Sequence, residues 1–329
     1  ELFVENICRI PDINTSDFTP DNSLKRREFE YLPAGGLHGH TRAMLKIEDG
    51  CGNFCTYCII PYSRGPVRSL PSDTAISECR KLKEQNYKEI VLTGIEISSY
   101  GKDLTPKTEL SELVACLCEE FPDIRFRLGS IEPRTITKEF CEKLHSFTNL
   151  CPHFHLSMQS GCDETLSRMR RKYDTARFYL SVSLLREYFP GCAITTDMIV
   201  GFPGETEAEF SSTLAFIEKC AFSSMHIFPY SKRAGTPAAK MENQITKAEK
   251  ALRARRAADV AKRMEREYLS NLCSTIHSVL FEELYDGYWS GHAKNYVRVY
   301  VKSPDNLKNS VYAVKICGFH LDGLLGEIL

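Results

Sequence analysis

From residue 41 to residue 270 short apolar runs alternate with longer amphipathic ones, and this alternation limits the fold more than any other feature of the chain. Apolar or β-rich runs fall at 42–47, 89–93, 124–128, 153–157, 193–200 and 223–228, too short for helices. Between and after them the apolar spacing becomes helical. It does so at 72–85, where Ala75, Ile76, Cys79 and Leu82 share a face, and again at 110–121, 137–145, 175–188, 206–220 and 246–270. The last two open on a capping-box pattern, Thr206 with Glu209 and Thr246 with Glu249. Strands that alternate with helices give a parallel sheet with right-handed crossovers. Six such units predict an α/β fold, an open (β/α)6 partial TIM barrel, short of the eight that close one.

The pattern changes after residue 270. Short alternating strands are expected at 276–281, 296–301, 311–316 and 324–328, separated by Asp286-Gly287, Ser303-Pro304-Asp305-Asn306 and Asp322-Gly323. This reads as a small antiparallel β-barrel domain over 271–329, of the OB or a related kind. At the other end, residues 1–36 have little periodicity. Val4-Glu5-Asn6-Ile7 is a candidate strand, followed by turn-formers from Pro11 to Asp21 and by Pro33-Ala34-Gly35-Gly36, so this segment reads as a linker before a core at 37–270. No initiator Met is present, and a fragment or processed form is expected.

Net charge is −1 over 329 residues, so a polyanion would have to be met by local patches rather than by overall charge. Two are visible. One is Arg168-Met169-Arg170-Arg171-Lys172. The other is the run of Lys247, Lys250, Arg253, Arg255, Arg256, Lys262, Arg263 and Arg266, although solvated helix faces give the same pattern. No apolar run reaches the roughly 18–20 residues of a membrane span, and the N-terminus lacks the pattern of a signal peptide. Most of the fourteen cysteines, including Cys79, Cys116, Cys118, Cys141, Cys192, Cys220 and Cys317, stand alone in core-like patterns. That is the usage of a reduced, cytoplasmic protein.

Three cysteines break the pattern. Cys51, Cys55 and Cys58 crowd into eight residues directly after the first strand. Thiolates at these spacings can converge from one loop, and iron–sulfur clusters take Cys thiolates as ligands. Three ligands on a four-iron (4Fe-4S) cube leave one iron open for a substrate or cofactor. Structural zinc usually takes four ligands from paired motifs. No second Cys pair or His-x-x-x-His stands nearby, so zinc is the weaker reading.

The spacing C-x-x-x-C-x-x-C after the first strand of a βα barrel resembles the radical S-adenosylmethionine (SAM) superfamily. Longer stretches are similar to its methylthiotransferase branch: Glu48-Asp49-Gly50-Cys51, Tyr57-Cys58-Ile59-Ile60-Pro61-Tyr62-Ser63-Arg64-Gly65, Leu156-Ser157-Met158-Gln159-Ser160-Gly161, Met169-Arg170-Arg171-Lys172-Tyr173, the run from Asp197 to Thr206, and the run from Phe228 to Ala238. Thr93-Gly94-Ile95-Glu96, Ser130-Ile131-Glu132-Pro133 and Ser231-Lys232-Arg233 look closest to the subgroup that acts on threonylcarbamoyladenosine in tRNA, and less like those acting on isopentenyladenosine or a ribosomal protein. The resemblance implies conversion of N6-threonylcarbamoyladenosine at position 37 of tRNA to its 2-methylthio derivative, by SAM cleaved on the cluster. Sister enzymes act on isopentenyladenosine or on a ribosomal protein. The resemblance further implies an RNA-binding TRAM-like C-terminal domain, a flavodoxin- or ferredoxin-type electron donor and a monomer. It also implies an upstream domain holding a second, auxiliary 4Fe-4S cluster. Residues 1–7 look like the last strand of that domain, and only Cys8 precedes Cys51 here, so the chain alone is expected to cleave SAM and bind RNA without completing methylthiolation.

Barrel enzymes carry their working groups on the loops after strand C-termini, where the remaining candidates fall. By resemblance the cofactor is contacted by Tyr57, Gly94, Glu96, Ser130, Glu132, Gln159 and Gly201, while Arg171 and Arg64 suit bidentate contact with a phosphate or with the cofactor carboxylate. Each also has a purely structural reading: a turn glycine, a loop polar group, a packed ring or a satisfied core amide. In the TRAM-like domain Tyr288, Trp289, Lys294, Tyr296 and Arg298 suit stacking on splayed bases, or in part simply fill the small barrel.

Overall fold

The computed structural model describes residues 23–32 and 41–329. The candidate strand at 4–7 and most of the linker reading of 1–36 lie outside them. The segment 23–32 packs on the barrel. Ser23 is buried and its hydroxyl donates to the Tyr62 carbonyl, and Phe29 lies under the Lys46 ammonium.

The six expected strands form. The first is β1 (Arg42–Lys46), followed by the short antiparallel pair β2 (Glu48–Asp49) and β3 (Arg68–Ser69), which brackets the cysteine loop. Next come β4 (Glu89–Thr93), β5 (Arg125–Leu128) and β6 (Ser130–Ile131), then β7 (His153–Gln159), β8 (Ala193–Val200) and β9 (Ser224–Pro229). All barrel pairings are parallel, in the orders β1-β4-β5 and β6-β7-β8-β9. The two sheets join because β5 and β6 are one strand interrupted at Gly129, with a bridge from Phe126 to Leu150. β1 and β9 do not pair, so the barrel is open, and the helix Lys247–Asn271 packs on β9.

The helices cover the outer face because every second strand residue is apolar and points outward. Phe154, Leu156 and Met158 on β7 are fully buried, while His155, Ser157 and Gln159 between them turn to the lumen. The helices expected at 72–85, 110–121, 137–145, 175–188, 206–220 and 246–270 form within a residue at each end. Two short ones, Ile60–Arg64 and Asp163–Arg168, were hidden inside motif loops. Thr206 and Glu209 close a full capping box. At Thr246 only half forms, because the Glu249 carboxylate is taken by Arg253 at 2.9 Å. Three of the eight basic residues on that helix are paired with acids: Arg253 with Glu205, Arg256 with Glu207 and Arg263 with Glu218. No helix among the described residues is long and apolar enough to cross a membrane.

The C-terminal strands are β10 (Ile276–Tyr285), β11 (Tyr288–Ala293), β12 (Arg298–Val301), β13 (Val311–His320) and β14 (Gly323–Ile328). They close a barrel in the order β10-β11-β12-β14-β13. The sequence reading found four of the five. It missed β11, whose run Tyr288-Trp289-Ser290-Gly291-His292-Ala293 has no β-branched residue. It also ended β10 and β13 early, at bulges between Phe281 and Glu283 and between Ile316 and Gly318 that break the alternation. Cys116 and Cys317, expected in core patterns, are exposed. Cys116 lies off the Leu113–Leu117 stripe of its helix and Cys317 sits in a bulge, whereas Cys79, Cys118, Cys141, Cys192 and Cys220 are buried.

The small barrel meets the N-terminal end of the large one through buried charge. Arg127 of β5 grips Glu89 of β4 with two bonds, 2.7 and 3.1 Å, and donates a third, 2.9 Å, to the Lys294 carbonyl. The Tyr296 ring sits beneath the lumen against Arg42, Arg127, His153 and His292, with centroid distances of 4.7 to 5.1 Å. A buried ion pair contributes little against an apolar substitute, but removing one partner strands the other charge. Arg127→Met is therefore expected to cost about 3–5 kcal/mol in urea unfolding. Arg80→Met, which breaks the exposed pair with Glu120, should cost no more than about 1 kcal/mol. Equal losses would contradict this reading of the junction.

Candidate active site at the C-terminal rim

Parallel strands deliver their following loops to one rim, and a cavity of about 210 Å³ opens there. Its wall includes Cys51, Cys55 and Cys58, and of the other candidates Tyr57, Glu96, Ser130, Glu132, Gln159 and Arg171. Gly94 and Gly201 do not line it.

The cysteine loop is held from several sides. Gly50 adopts φ 91° and approaches the chain so closely that a Cβ would meet the Pro66 carbonyl at 2.0 Å, so only glycine fits. Beside it the buried Asp49 is bonded to Lys46 at 2.8 Å and Arg68 at 3.2 Å, with Arg64 at 3.7 Å. Arg64 thus stands with a carboxylate of its own chain. Further along, the Thr56 backbone N–H donates to the Met169 carbonyl, and its carbonyl accepts from the Ala238 N–H. The loop is thereby tied to the segments after β7 and β9. Burial pushes the Cys51 thiol up to about 11 and raises the Cys58 thiol too, each rise increased by the neighbouring thiols. Without a metal these are thiols, so binding one must displace protons.

Among the described residues no three His, Cys, Asp or Glu side chains converge where a single ion would sit. The three sulfurs nevertheless line one cavity. A four-iron cube offers a separate iron to each thiolate, so it needs sulfurs spread around one cavity, which is the arrangement found. Arg171 sits behind them. Its Nη1 donates to Cys55 Sγ at 3.3 Å, its Nη2 to the Ser157 carbonyl at 3.1 Å, and its Nε to the Tyr173 hydroxyl at 3.0 Å. It supplies a fixed positive charge next to sulfur.

The facing wall is acidic. The Glu96 carboxylate accepts from Ser99 through one oxygen, its other oxygen is buried with no hydrogen-bond partner among the described residues, and burial raises its pKa. Glu132 is oriented by Arg134 at 2.9 Å, and the Ser130 and Ser157 hydroxyls lie 2.8 Å apart. An unpartnered carboxylate oxygen in a cavity with three thiols suits a ligand that carries a cationic sulfonium and ammonium as well as an anionic end. The residues therefore fit SAM beside a cluster. Gln159 lines the cavity from a left-handed backbone, φ 67°, at a register shift between β7 and β8. Such a bulge re-aims a side chain.

Gly94 and Gly201 support the wall from behind. A Cβ on Gly94 would lie 2.7 Å from the Glu48 carbonyl, and Glu48 Oε2 accepts from the Glu96 N–H at 2.7 Å. Gly201, at φ 67°, donates its N–H to Glu205, which is clamped by Arg253 at 2.7 Å. The sequence reading gave no role to Asn53, Ile60, Ile95 or Ser157, which also line the cavity. It likewise passed over His155, Asp197 and His226 on the lumen face below, where the Asp197 carboxylate bridges the two imidazoles at 3.4 and 3.2 Å. Strand alternation was the signal, since residues 155, 157 and 159 must share a face.

Of the candidates in the C-terminal domain, Lys294 and Tyr296 contact the large barrel, Trp289 packs on the small core and Arg298 pairs with Asp322. Tyr288 packs against His320 with its ring tilted by 43°, beneath the Lys302 ammonium.

With this geometry in view, comparison with known proteins is informative. Residues 45–217 match the Radical SAM superfamily. A solved radical SAM methyltransferase, TsrM of Kitasatospora setae, superposes with a TM-score of 0.51 at 17% identity, over 60% of this chain and 35% of that one. At that identity the likeness concerns the fold. The curated relatives narrow the class. The threonylcarbamoyladenosine tRNA methylthiotransferase MtaB of Bacillus subtilis is 39% identical over 90% of this chain and 66% of its own length. That of Chlamydia pneumoniae is 35% identical over 89% and 69%. The tRNA-2-methylthio-N(6)-dimethylallyladenosine synthase of Symbiobacterium thermophilum is 34% identical over 91% and 66%. The chain belongs to the radical SAM superfamily, in its methylthiotransferase branch. It spans about two thirds of the length of these relatives, and membership implies a 4Fe-4S cluster and SAM.

Glu48 gives the site a pH signature. It is fully buried, and desolvation raises its pKa from 4.5 to about 8. The folded state then holds a proton that the unfolded chain releases near pH 4.5, so stability falls as pH rises between about 4.5 and about 8. The slope is at most about 1.4 kcal/mol per pH unit. Thermal melts of Glu48→Gln from pH 5 to 9 should show a flatter decline than the parent protein. An unchanged decline would contradict the assignment.

Proposed function

We propose that this chain is the SAM-cleaving and RNA-holding part of a tRNA methylthiotransferase that acts on N6-threonylcarbamoyladenosine at position 37. The observation that carries the reading is one cavity shared by three loop thiols, the Arg171 guanidinium and the half-partnered Glu96 carboxylate. The relatives named for the threonylcarbamoyl substrate support the choice of nucleoside. When bound, cluster and SAM together supply hydrogen-abstraction chemistry.

The chain's own residues do the rest. Cys51, Cys55 and Cys58 hold the cluster, and Arg171 sets charge beside Cys55. Glu96, Glu132 and Ser130 orient the methionine end of the cofactor, and Tyr57 and Gln159 bound its other side. The lumen face with His155, Asp197 and His226 lies below and receives the base. In this reading residues 37–270 are the catalytic core and 271–329 the RNA-binding domain. Sulfur delivery in this reading uses an auxiliary 4Fe-4S cluster that the described residues do not hold, the electron comes from a flavodoxin- or ferredoxin-type donor, and the protein works as a cytoplasmic monomer. A sister substrate is the second reading, favoured by the dimethylallyladenosine-type relatives at 34–39% identity.

Two experiments test this. After anaerobic reconstitution the chain should cleave SAM to 5′-deoxyadenosine under dithionite, and any one Cys→Ala change at 51, 55 or 58 should reduce the product to background. Undiminished product in those variants would refute the site. Mass spectrometry of tRNA nucleosides from a strain lacking the gene should show loss of the methylthio derivative of threonylcarbamoyladenosine alone. Loss of the isopentenyl-type derivative instead would establish the second reading.

A further inference from the structure

A second cleft lies at the opposite end of the large barrel, where β4 and β5 begin, and the small barrel forms its other side. It is about 230 Å³. The large barrel contributes Lys88, Asp123 and Arg125, with Asn149 beneath them, and the small barrel contributes Ser278 and Lys294. Three cations and one acid face this space, and the acid, Asp123, pairs with Lys83 at 3.3 Å.

The cations have only neutral partners among the described residues. Arg125, 5% exposed, donates to Ser278 Oγ at 2.8 Å and to the His292 carbonyl at 3.4 Å. Lys294 donates to the Thr148 carbonyl at 2.6 Å, and Lys88 to Asn86 Oδ1 at 2.7 Å. Glu89, the carboxylate behind Arg125, is used by Arg127. Desolvation, and for Lys294 also the nearby Arg125 charge, lower both pKa values. Two partly desolvated cations that repel each other cost stability, and a multivalent anion between them would offset that cost. A planar guanidinium, a compact ammonium and a hydroxyl arranged around one space suit a tetrahedral oxyanion, which accepts from several directions. Asn149 is not available to such a ligand, because its amide already donates to the carbonyls of Cys118, Phe121 and Ile124.

We propose that this interdomain cleft binds a phosphate group, carried by the backbone of an RNA lying across both barrels. Free phosphate is the other carrier of the same chemistry. The RNA arm rests on the tRNA reading above, and the free-phosphate arm does not.

The test uses the full chain, Lys294→Gln, Lys88→Gln, and Lys107→Gln as a control at an exposed lysine away from the cleft. Inorganic phosphate is titrated by calorimetry and thermal shift, and an anticodon-arm RNA hairpin by fluorescence anisotropy over a range of salt. Loss of one phosphate contact should flatten the slope of log K against log salt by about 0.7–0.9 in Lys294→Gln, and not in Lys107→Gln. Phosphate should raise the melting temperature of the parent chain but not of Lys294→Gln. A flattened slope without a phosphate effect assigns the cleft to RNA, and a phosphate effect with an unchanged slope assigns it to the free ion. If the parent chain binds no hairpin, the tRNA reading fails and the phosphate arm alone decides. If neither measurement separates Lys294→Gln from the control, the proposal is overturned.

Discussion

Parallel pairing of all six barrel strands is the constraint on which the rest depends. Strands that run the same way send every following loop to one end. Segments more than a hundred residues apart, such as Cys55 and Arg171, therefore become neighbours at 3.3 Å. The same constraint sends the strand starts to the other end, where the small barrel docks. Opening the barrel between β1 and β9 leaves its lumen accessible, and the polar alternation on β7 and β8 makes that lumen hydrophilic. Fold and site are consequences of one topology.

Charge is used differently at the two ends. At the rim, buried acids with incomplete partners, Glu48 and Glu96, stand near thiols whose protons are held tightly. Such groups are costly in a folded protein, and that cost is understandable where a charged ligand completes them. At the base, Glu89 and Arg127 satisfy each other bidentately and fasten one domain to the next. One end is left open to chemistry, while the other joins the domains through the Glu89–Arg127 pair and leaves Arg125, Lys294 and Lys88 beside neutral partners.

Much of this was legible in the sequence. Period-2 and period-3.6 apolar patterns located the six strands and six helices of the large barrel, with β4 and β8 matched residue for residue. The cysteine spacing singled out one loop, and its three thiols line one cavity together with six of the cofactor candidates. Gly94 and Gly201 could not be told apart from ligand-contacting glycines, because a close approach to Glu48 or a turn closed by Glu205 leaves no local pattern. β11 escaped because its pairing partners, rather than its own residues, make it a strand. The docking of Lys294 and Tyr296 against the large barrel was invisible for the same reason, since it depends on where two domains meet.

The central claim is that three thiolates hold a cluster with one iron free for SAM. The most direct measurement is electron paramagnetic resonance of the reduced, anaerobically reconstituted chain before and after SAM is added. The account predicts a 4Fe-4S signal whose line shape changes on addition, as the open iron gains a ligand, and which is lost in Cys55→Ala. A signal indifferent to SAM, or one that survives removal of the Cys55 sulfur, would contradict it.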